Sequence, residues 1–268
     1  IFDPLVSAIA AGNCVLVKPS ELTPEASQLI RKIIKEVVHT DEINIIEGDA
    51  HLAASLTKLP FDHIFFTGSP AVGKMVMKAA SENLTSVTLE LGGKSPAIVH
   101  SDADINKTAS SLVFAKFLNT GQTCIAPDYV LIHRSVKRQL IDVMVLKIQS
   151  SYGNSESKVK SSKDFGRIVS ENNFKRIESY IKEAISIGAT INYGGHADIN
   201  EKYIEPTIIT NVEIDASIMQ NEIFGPVLPV LEYQTLDEAY HVINSLPKPL
   251  ACYIFSNSHS IQQDILSN

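Results

Sequence analysis

Cys124 closes the polar run Asn119-Thr-Gly-Gln-Thr-Cys124, between a predicted helix and a predicted strand. A thiolate is the nucleophilic form of cysteine, and free backbone donors in a small polar loop lower a thiol pKa. A lone cysteine more commonly packs as a small hydrophobe. That is the reading for Cys14, in Val-rich sequence, and for Cys252, beside Tyr253 and Ile254; both are expected in the core. Glu90 stands between Leu89 and Leu91 at the end of an apolar strand, just before Gly92-Gly93. A carboxylate buried there is costly to ionise and moves toward the range of a general base, unless a cation such as Lys94 pairs with it. The competing reading is a strand-end glutamate that faces water.

The segment Gly68-Ser-Pro-Ala-Val-Gly73-Lys74 follows a predicted strand and opens a helix, an arrangement that aims backbone N–H groups at a phosphate. Its spacing is also that of a nucleotide triphosphatase loop, but Met75 occupies the place of the hydroxyl that would hold Mg²⁺. The loop alone reads equally as phosphate cradle and as plain turn. Lys18 and Glu21, at the turn after the first strand, are placed to meet ribose hydroxyls at a strand's carboxyl end or to form a solvated ion pair. Glu222, in Asn221-Glu-Ile-Phe-Gly-Pro226, is one of many loop carboxylates on this reading.

The elements that must position these residues alternate in βαβ fashion. Cys14–Val17 reads as a buried strand. Thr23 caps a helix with Pro24 at its first position and Leu29, Ile30, Ile33, Ile34, Val37 and Val38 on one apolar face. Strands are expected at 43–46, 63–66, 87–89, 96–99 and 129–132. The helix after Gly68 should bury Val72, Met75, Val76 and Ala79. Further helices are expected at 104–118, 136–148 and 171–187, and Ser150–Lys163, rich in Ser, Lys and Gly, as an exposed loop. The fold class is α/β, with a domain boundary near Gly92-Gly93 and no internal repeat.

Composition sets the outer limits. The chain has 268 residues, 44% hydrophobic and 20% charged, which is ordinary for a globular protein. With 23 Lys plus Arg against 30 Asp plus Glu and no basic run, nucleic acid is not an expected partner. Three cysteines spaced far apart without a CxxC pair argue against a disulfide scaffold and a structural zinc site, and fit a reducing, intracellular compartment. The longest apolar stretch, Leu5–Val17, is interrupted and too short to span a bilayer.

Taken in order, Lys18-Pro-Ser-Glu21, Phe66-Thr-Gly-Ser69 with Gly73, Leu89-Glu-Leu-Gly-Gly-Lys94, Gly121-Gln-Thr-Cys124 and Glu222-Ile-Phe-Gly-Pro226 resemble the aldehyde dehydrogenase superfamily. Ala126-Pro-Asp-Tyr129 and Tyr203-Ile-Glu-Pro-Thr-Ile208 are similar to its class 3 and fatty aldehyde dehydrogenase branch. The resemblance implies a Rossmann-like NAD(P)-binding domain over 1–91 and an α/β catalytic domain over 92–268. It implies that Cys124 attacks a medium-chain, long-chain or aromatic aldehyde and that Glu90 activates the water that hydrolyses the resulting thioester. Lys18 and Glu21 would hold the adenosine ribose, and Gly68, Ser69 and Gly73 the pyrophosphate turn. Glu222 and Phe224 would sit on the nicotinamide side and Leu91 would also touch the cofactor, with no metal required.

The family also carries an upstream Pro-Trp-Asn type segment, whose Asn donates to the oxyanion, and a C-terminal part that completes the substrate tunnel and a dimer arm. Neither has a counterpart here, and the chain contains no Trp. The expectation is an internal part of a longer, homodimeric enzyme, with membrane anchoring left to segments outside it. Loss of an oxyanion donor costs on the order of a hundred- to a thousand-fold in rate. The alternative functions are a nucleotide- or phosphate-binding module, resting on Gly68–Lys74, and a non-catalytic fragment that keeps the fold and serves only as a partner surface, neither with redox chemistry.

Glu21 sets the cofactor expectation. A 2′-phosphate about 4 Å from its carboxylate is repelled by up to roughly 4 kcal/mol at an effective dielectric near 20, partly offset by Lys18. NAD⁺ should be preferred to NADP⁺ by about ten- to a hundred-fold. Glu21→Gln should narrow that gap, which titration of both cofactors measures.

Overall fold

The structure, a computed structural model, describes residues 1–38 and 41–268. It divides into two compact units, Ile1–Leu91 and Gly92–Asn268.

The first unit runs α1 (Phe2–Ala10), β1 (Val15–Val17), α2 (Pro24–Val37), β2 (Ile43–Ile45), α3 (Ala50–Leu56), β3 (His63–Gly68), α4 (Pro70–Ala80) and β4 (Ser86–Leu91). Its strands form two parallel pairs, β1 with β2 and β3 with β4. Strand–helix–strand connections produce that parallel pairing, because a crossover is needed to bring the chain back in the same direction. A small core gathers Leu5, Val17, Ile34, Ile43 and Ile45.

Three sequence expectations need correction here. The six-residue apolar face of α2 is not buried as a whole: Ile34 is, while Leu29, Ile33 and Val37 are exposed. Thr23 precedes Pro24 at the helix start, but its hydroxyl makes no capping bond. On α4 the buried stripe is Gly73, Val76 and Ala80, and Val72 and Met75 face outward. The cause is Gly73, where a Cβ would come within 2.9 Å of Leu91 Cδ2. The helix is turned so that its one residue without a side chain meets the end of β4.

The second unit runs β5 (Pro96–Val99), α5 (Ile105–Phe117), β6 (Tyr129–His133), α6 (Lys137–Tyr152), α7 (Glu156–Ser161), α8 (Glu171–Ser186) and β7 (Thr190–Tyr193). It continues through β8 (Ala197–Asp198), β9 (Tyr203–Ile204), β10 (Thr207–Thr210), α9 (Ser217–Gln220), β11 (Val227–Tyr233), α10 (Leu236–Asn244), β12 (Tyr253–Phe255) and α11 (His259–Ser267). Six strands pair in the order β12-β5-β6-β11-β10-β7, all parallel except the edge strand β7.

Both faces of this sheet are covered, which is why its strands read as continuous apolar runs. Ala97, Val99, Val130 and Ile132 face α5 and α6, packing with Leu112, Phe117, Leu140 and Met144. Ile98, Tyr129 and Leu131 face the other way, against Phe174, Ile177 and Ile181 of α8 and Ala239 of α10. Among the described residues no helix is long and apolar enough to cross a membrane.

The stretch Ser150–Lys163 is a further correction to the sequence reading. It finishes α6 and forms α7, with Val159 fully buried in the α5/α6 core. One valine in a polar run carries no periodicity, so the sequence concealed it. Val159→Ala should lower unfolding stability by about 1 to 3 kcal/mol, whereas a loop residue would cost nothing measurable. Denaturant midpoints at unchanged slope would distinguish the two.

Candidate active site

Because β5, β6 and β11 are parallel neighbours, the segments that lead into them arrive at one edge of the second unit's sheet. These are Gly92–Ser95, the Cys124 loop through Asp128, and Glu222–Pro226. Three of the sequence motifs therefore meet at the amino ends of the strands, the opposite rim from the one open α/β sheets usually offer to ligands.

The Cys124 loop is shaped by backbone conformation. α5 ends at Phe117, and Asn119, Thr120 and Gly121 then take three successive left-handed conformations, with φ of 51°, 58° and 74°. Only glycine adopts this region freely. At Gly121 a Cβ would also collide with the carbonyl oxygen of Gly225. That contact seats the cysteine loop against the Glu222–Pro226 loop. Gln122 fixes the loop from its other side: Nε2 donates to Asn119 O (3.1 Å) and Arg167 O (2.9 Å), and Oε1 accepts from Val169 N (2.8 Å). Cys124 itself is partly exposed, whereas Cys14 and Cys252 are exposed and not in the core as expected. Cys14 precedes a three-residue strand, and Cys252 leads into β12 at the edge of the sheet.

Beneath the loop lies a buried charge cluster. Asp128 Oδ2 meets Lys94 Nζ at 2.6 Å, and Oδ1 lies 3.6 Å from Lys116 Nζ. Both Asp128 oxygens accept from Ile223 N at 3.2 Å. Lys94 also donates to Ile218 O (2.7 Å) and lies over the Tyr129 ring. Lys116 is fully buried and its ammonium has no hydrogen-bond partner. Burial outweighs the attraction of Asp128 for both lysines, so both pKa values fall, that of Lys116 to about 8.

The remaining loop residues follow from this anchor. The Glu222 carboxylate lies over Gly92, at the place a Cβ would fill. Burial raises its pKa, against a lowering hydrogen bond from Gly93. Arg176 Nη1 and Nη2 donate to Glu222 O and Ile223 O, each at 2.9 Å. Phe224 holds a left-handed φ of 47°. Lys94, the cation that could have paired with Glu90, instead meets Asp128, since the chain turns at Gly93 (φ 154°) and the lysine is buried in the second unit. Glu90 is exposed, so the burial argument for it fails.

In the first unit the structure assembles two clusters. Glu90 and Leu91 end β4 beside Thr67 and Gly68 of β3. Ser69 starts α4, its hydroxyl accepting from Val72 N at 3.4 Å, and Gly73 packs on Leu91. Met75 is exposed and supplies no hydroxyl. At the carboxyl ends of β1 and β2, Lys18 Nζ meets Glu21 Oε2 at 2.9 Å. A backbone hydrogen bond, then the bond from Lys18, lowers the Glu21 pKa. Glu21 lines a depression of about 290 Å³ with Ser20, Glu47, Gly48 and Asp49. Among the described residues no group of three His, Cys, Asp or Glu is arranged to hold a metal.

The aldehyde dehydrogenase family profile matches residues 2–267. The chain belongs to the aldehyde dehydrogenase family. It is 47% identical over 267 residues to 4,4′-diaponeurosporen-aldehyde dehydrogenase of Staphylococcus aureus (strain NCTC 8325 / PS 47), covering 100% of this chain and 57% of that protein. It is 42% identical over 259 residues to aldehyde dehydrogenase family 3 member A2 of Pongo abelii, covering 97% of this chain and 52% of that one. Among solved structures, the substrate-bound state of Staphylococcus aureus AldH aligns at TM-score 0.94 and 46% identity, over 100% of this chain and 57% of that chain. This aldehyde dehydrogenase chain thus spans about half the length of the curated relatives it matches.

Sequence reasoning missed Lys116, Asp128, Gln122 and Arg176 as the residues that hold the loops. One signal was present: Lys116 continues the buried stripe of Ile105, Ala109, Leu112 and Val113 along α5, so a charge was due in the core. Its lowered pKa gives a pH dependence. Between about pH 8 and the unfolded lysine value near 10.4, the unfolded chain binds the proton that the native state has released, so stability rises with pH there. Lys116→Met removes a buried charge while Asp128 keeps Lys94 as its partner, so it should flatten that rise and stabilise the protein at pH 7 by about 1 to 3 kcal/mol. Urea melts across this range measure both effects; destabilisation at pH 7 with the slope retained would refute them.

Proposed function

We propose that this chain carries the catalytic core of an NAD(P)⁺-dependent aldehyde dehydrogenase that oxidises medium-chain, long-chain or aromatic aldehydes to carboxylic acids. The observation that carries the reading is Cys124, partly exposed on a loop locked by left-handed backbone and by Gln122, in a chain of this family. Solved members of the family hold NAD or NADP. The donor set at β1 and β2 fits such a nucleotide: an ammonium and a carboxylate, Lys18 and Glu21, border a depression at strand carboxyl ends and can bind a ribose diol. Gly68, Ser69 and Gly73 would face the pyrophosphate, Glu222 and Phe224 the nicotinamide side, and Leu91 would also touch the cofactor. Bound NAD(P)⁺ supplies the hydride acceptor.

The Cys124 thiolate adds to the aldehyde carbon, forming a C–S bond and placing the carbonyl pair on oxygen, where the cysteine N–H stabilises it. Loss of hydride from that carbon re-forms the carbonyl and leaves a thioester on Cys124. Glu90 takes a proton from water, the resulting hydroxide adds to the thioester, and the C–S bond breaks to release acid and thiolate. An exposed Glu90 suits this task, since it must reach bulk water to return its proton.

Cys124→Ala should abolish NADH formation from aldehyde and NAD⁺ while nucleotide binding persists. Glu90→Gln should give about one equivalent of NADH and then stall, with the acyl group on Cys124 detectable by mass spectrometry. Full turnover in Cys124→Ala would overturn the mechanism, and steady turnover without acyl-enzyme in Glu90→Gln would remove Glu90 from it.

A further inference from the structure

The depression beside β1 and β2 is lined by three carboxylates, Glu21, Glu47 and Asp49. They differ in how their charge is met. Glu21 is paired with Lys18 at 2.9 Å and Glu47 with Arg31 at 3.1 Å. Among the described residues Asp49 has no ammonium or guanidinium partner. The two pairs present little net charge to an entering ligand, so the negative charge of this wall comes chiefly from Asp49.

Mobility separates them further. Glu21 lies on an exposed turn and can rotate away from an unwelcome anion. Asp49 cannot, because its Oδ1 caps α3, accepting from His51 N (3.0 Å) and Leu52 N (3.1 Å). Those bonds, that of Leu52 foremost, hold its pKa below the usual carboxylate value, so it is ionised at neutral pH. Its charge also acts on Glu21, opposing the lowering produced by the backbone and Lys18.

We propose that Asp49 is a specificity-determining residue for the nucleotide, its fixed and uncompensated carboxylate rejecting a ribose 2′-phosphate and admitting a free 2′-hydroxyl. This rests on reading the depression as the adenosine ribose site. Glu21 takes the hydroxyls, and Asp49 decides what else fits beside them. A phosphate that entered would compete for Lys18 and so answer part of Glu21's repulsion; beside Asp49 the structure places the His51 imidazole and, among the described residues, no paired lysine or arginine.

Asp49→Asn tests this without removing the helix cap, since asparagine caps as well as aspartate. Calorimetric titration of the full chain with NAD⁺, NADP⁺, 5′-AMP and adenosine 2′,5′-bisphosphate reads binding alone. The 2′-phosphorylated ligands should bind wild type more weakly than their partners. Asp49→Asn should lower that ratio of dissociation constants by about five- to ten-fold and Glu21→Gln by less. Raising salt from about 20 mM to 0.5 M should narrow the ratio in wild type by more than in Asp49→Asn, where only the repulsion of Glu21 is left to screen. An unchanged ratio in Asp49→Asn, or equal affinities in wild type, would overturn the assignment and leave the cofactor reading standing. Failure of every nucleotide to bind wild type would overturn both.

Discussion

A single buried carboxylate, Asp128, determines how the second unit presents its chemistry. Its two oxygens reach the lysine after Gly92-Gly93, the lysine at the end of α5 and the Ile223 amide that opens the Glu222–Pro226 loop. Each of these segments leads into, or ends beside, the sheet edge where Cys124 sits. Removing Asp128 would leave two lysines in a low-dielectric interior without their shared anion, a cost of about 3 to 5 kcal/mol, whereas Lys116 is the surplus cation of the three. The cluster is a poor way to gain stability and a good way to hold three loops in register. Two cations against one anion is an imbalance the fold tolerates because the lysines give up protons more easily than in water.

The architecture serves this junction. A parallel sheet brings all its strand starts to one rim, so segments distant in sequence arrive together without any long-range signal in the sequence itself. Covering both faces with helices dries that rim enough for Asp128, Lys94 and Lys116 to matter electrostatically. In the first unit the same geometry works from the other end: β1, β2, β3 and β4 end side by side in pairs, with glycine at 73 where the helix packs on Leu91 and glycine at 68 where the Phe66 ring fills the space of a side chain.

The alternation of strands and helices, the α/β class and most strands were legible because buried parallel strands and amphipathic helices leave strong local patterns. Ordered motifs pointed to Cys124, Lys18, Glu21 and Glu222. Illegible was whatever depends on direction. Glu90 between two leucines reads as buried, yet the pleat turns it outward. Lys94 sits four residues from Glu90 and pairs with Asp128, because one glycine redirects the chain. Cys14 and Cys252 have apolar neighbours in sequence and solvent in space, being at the start of a short strand and of an edge strand. Asp49 and Glu47 gave no sign, since their meaning lies in which partner each has found.

The left-handed run before Cys124 restricts what evolution can write there. Glycine alone fits position 121, where a side chain would strike the neighbouring loop. Asparagine at 119 is among the few residues that accept its backbone angle, and the β-branched Thr120 already bears the steric cost. Variation across these three positions is thus filtered by backbone sterics before chemistry is consulted. An invariant residue beside the cysteine would testify first to the shape of the turn and only second to catalysis.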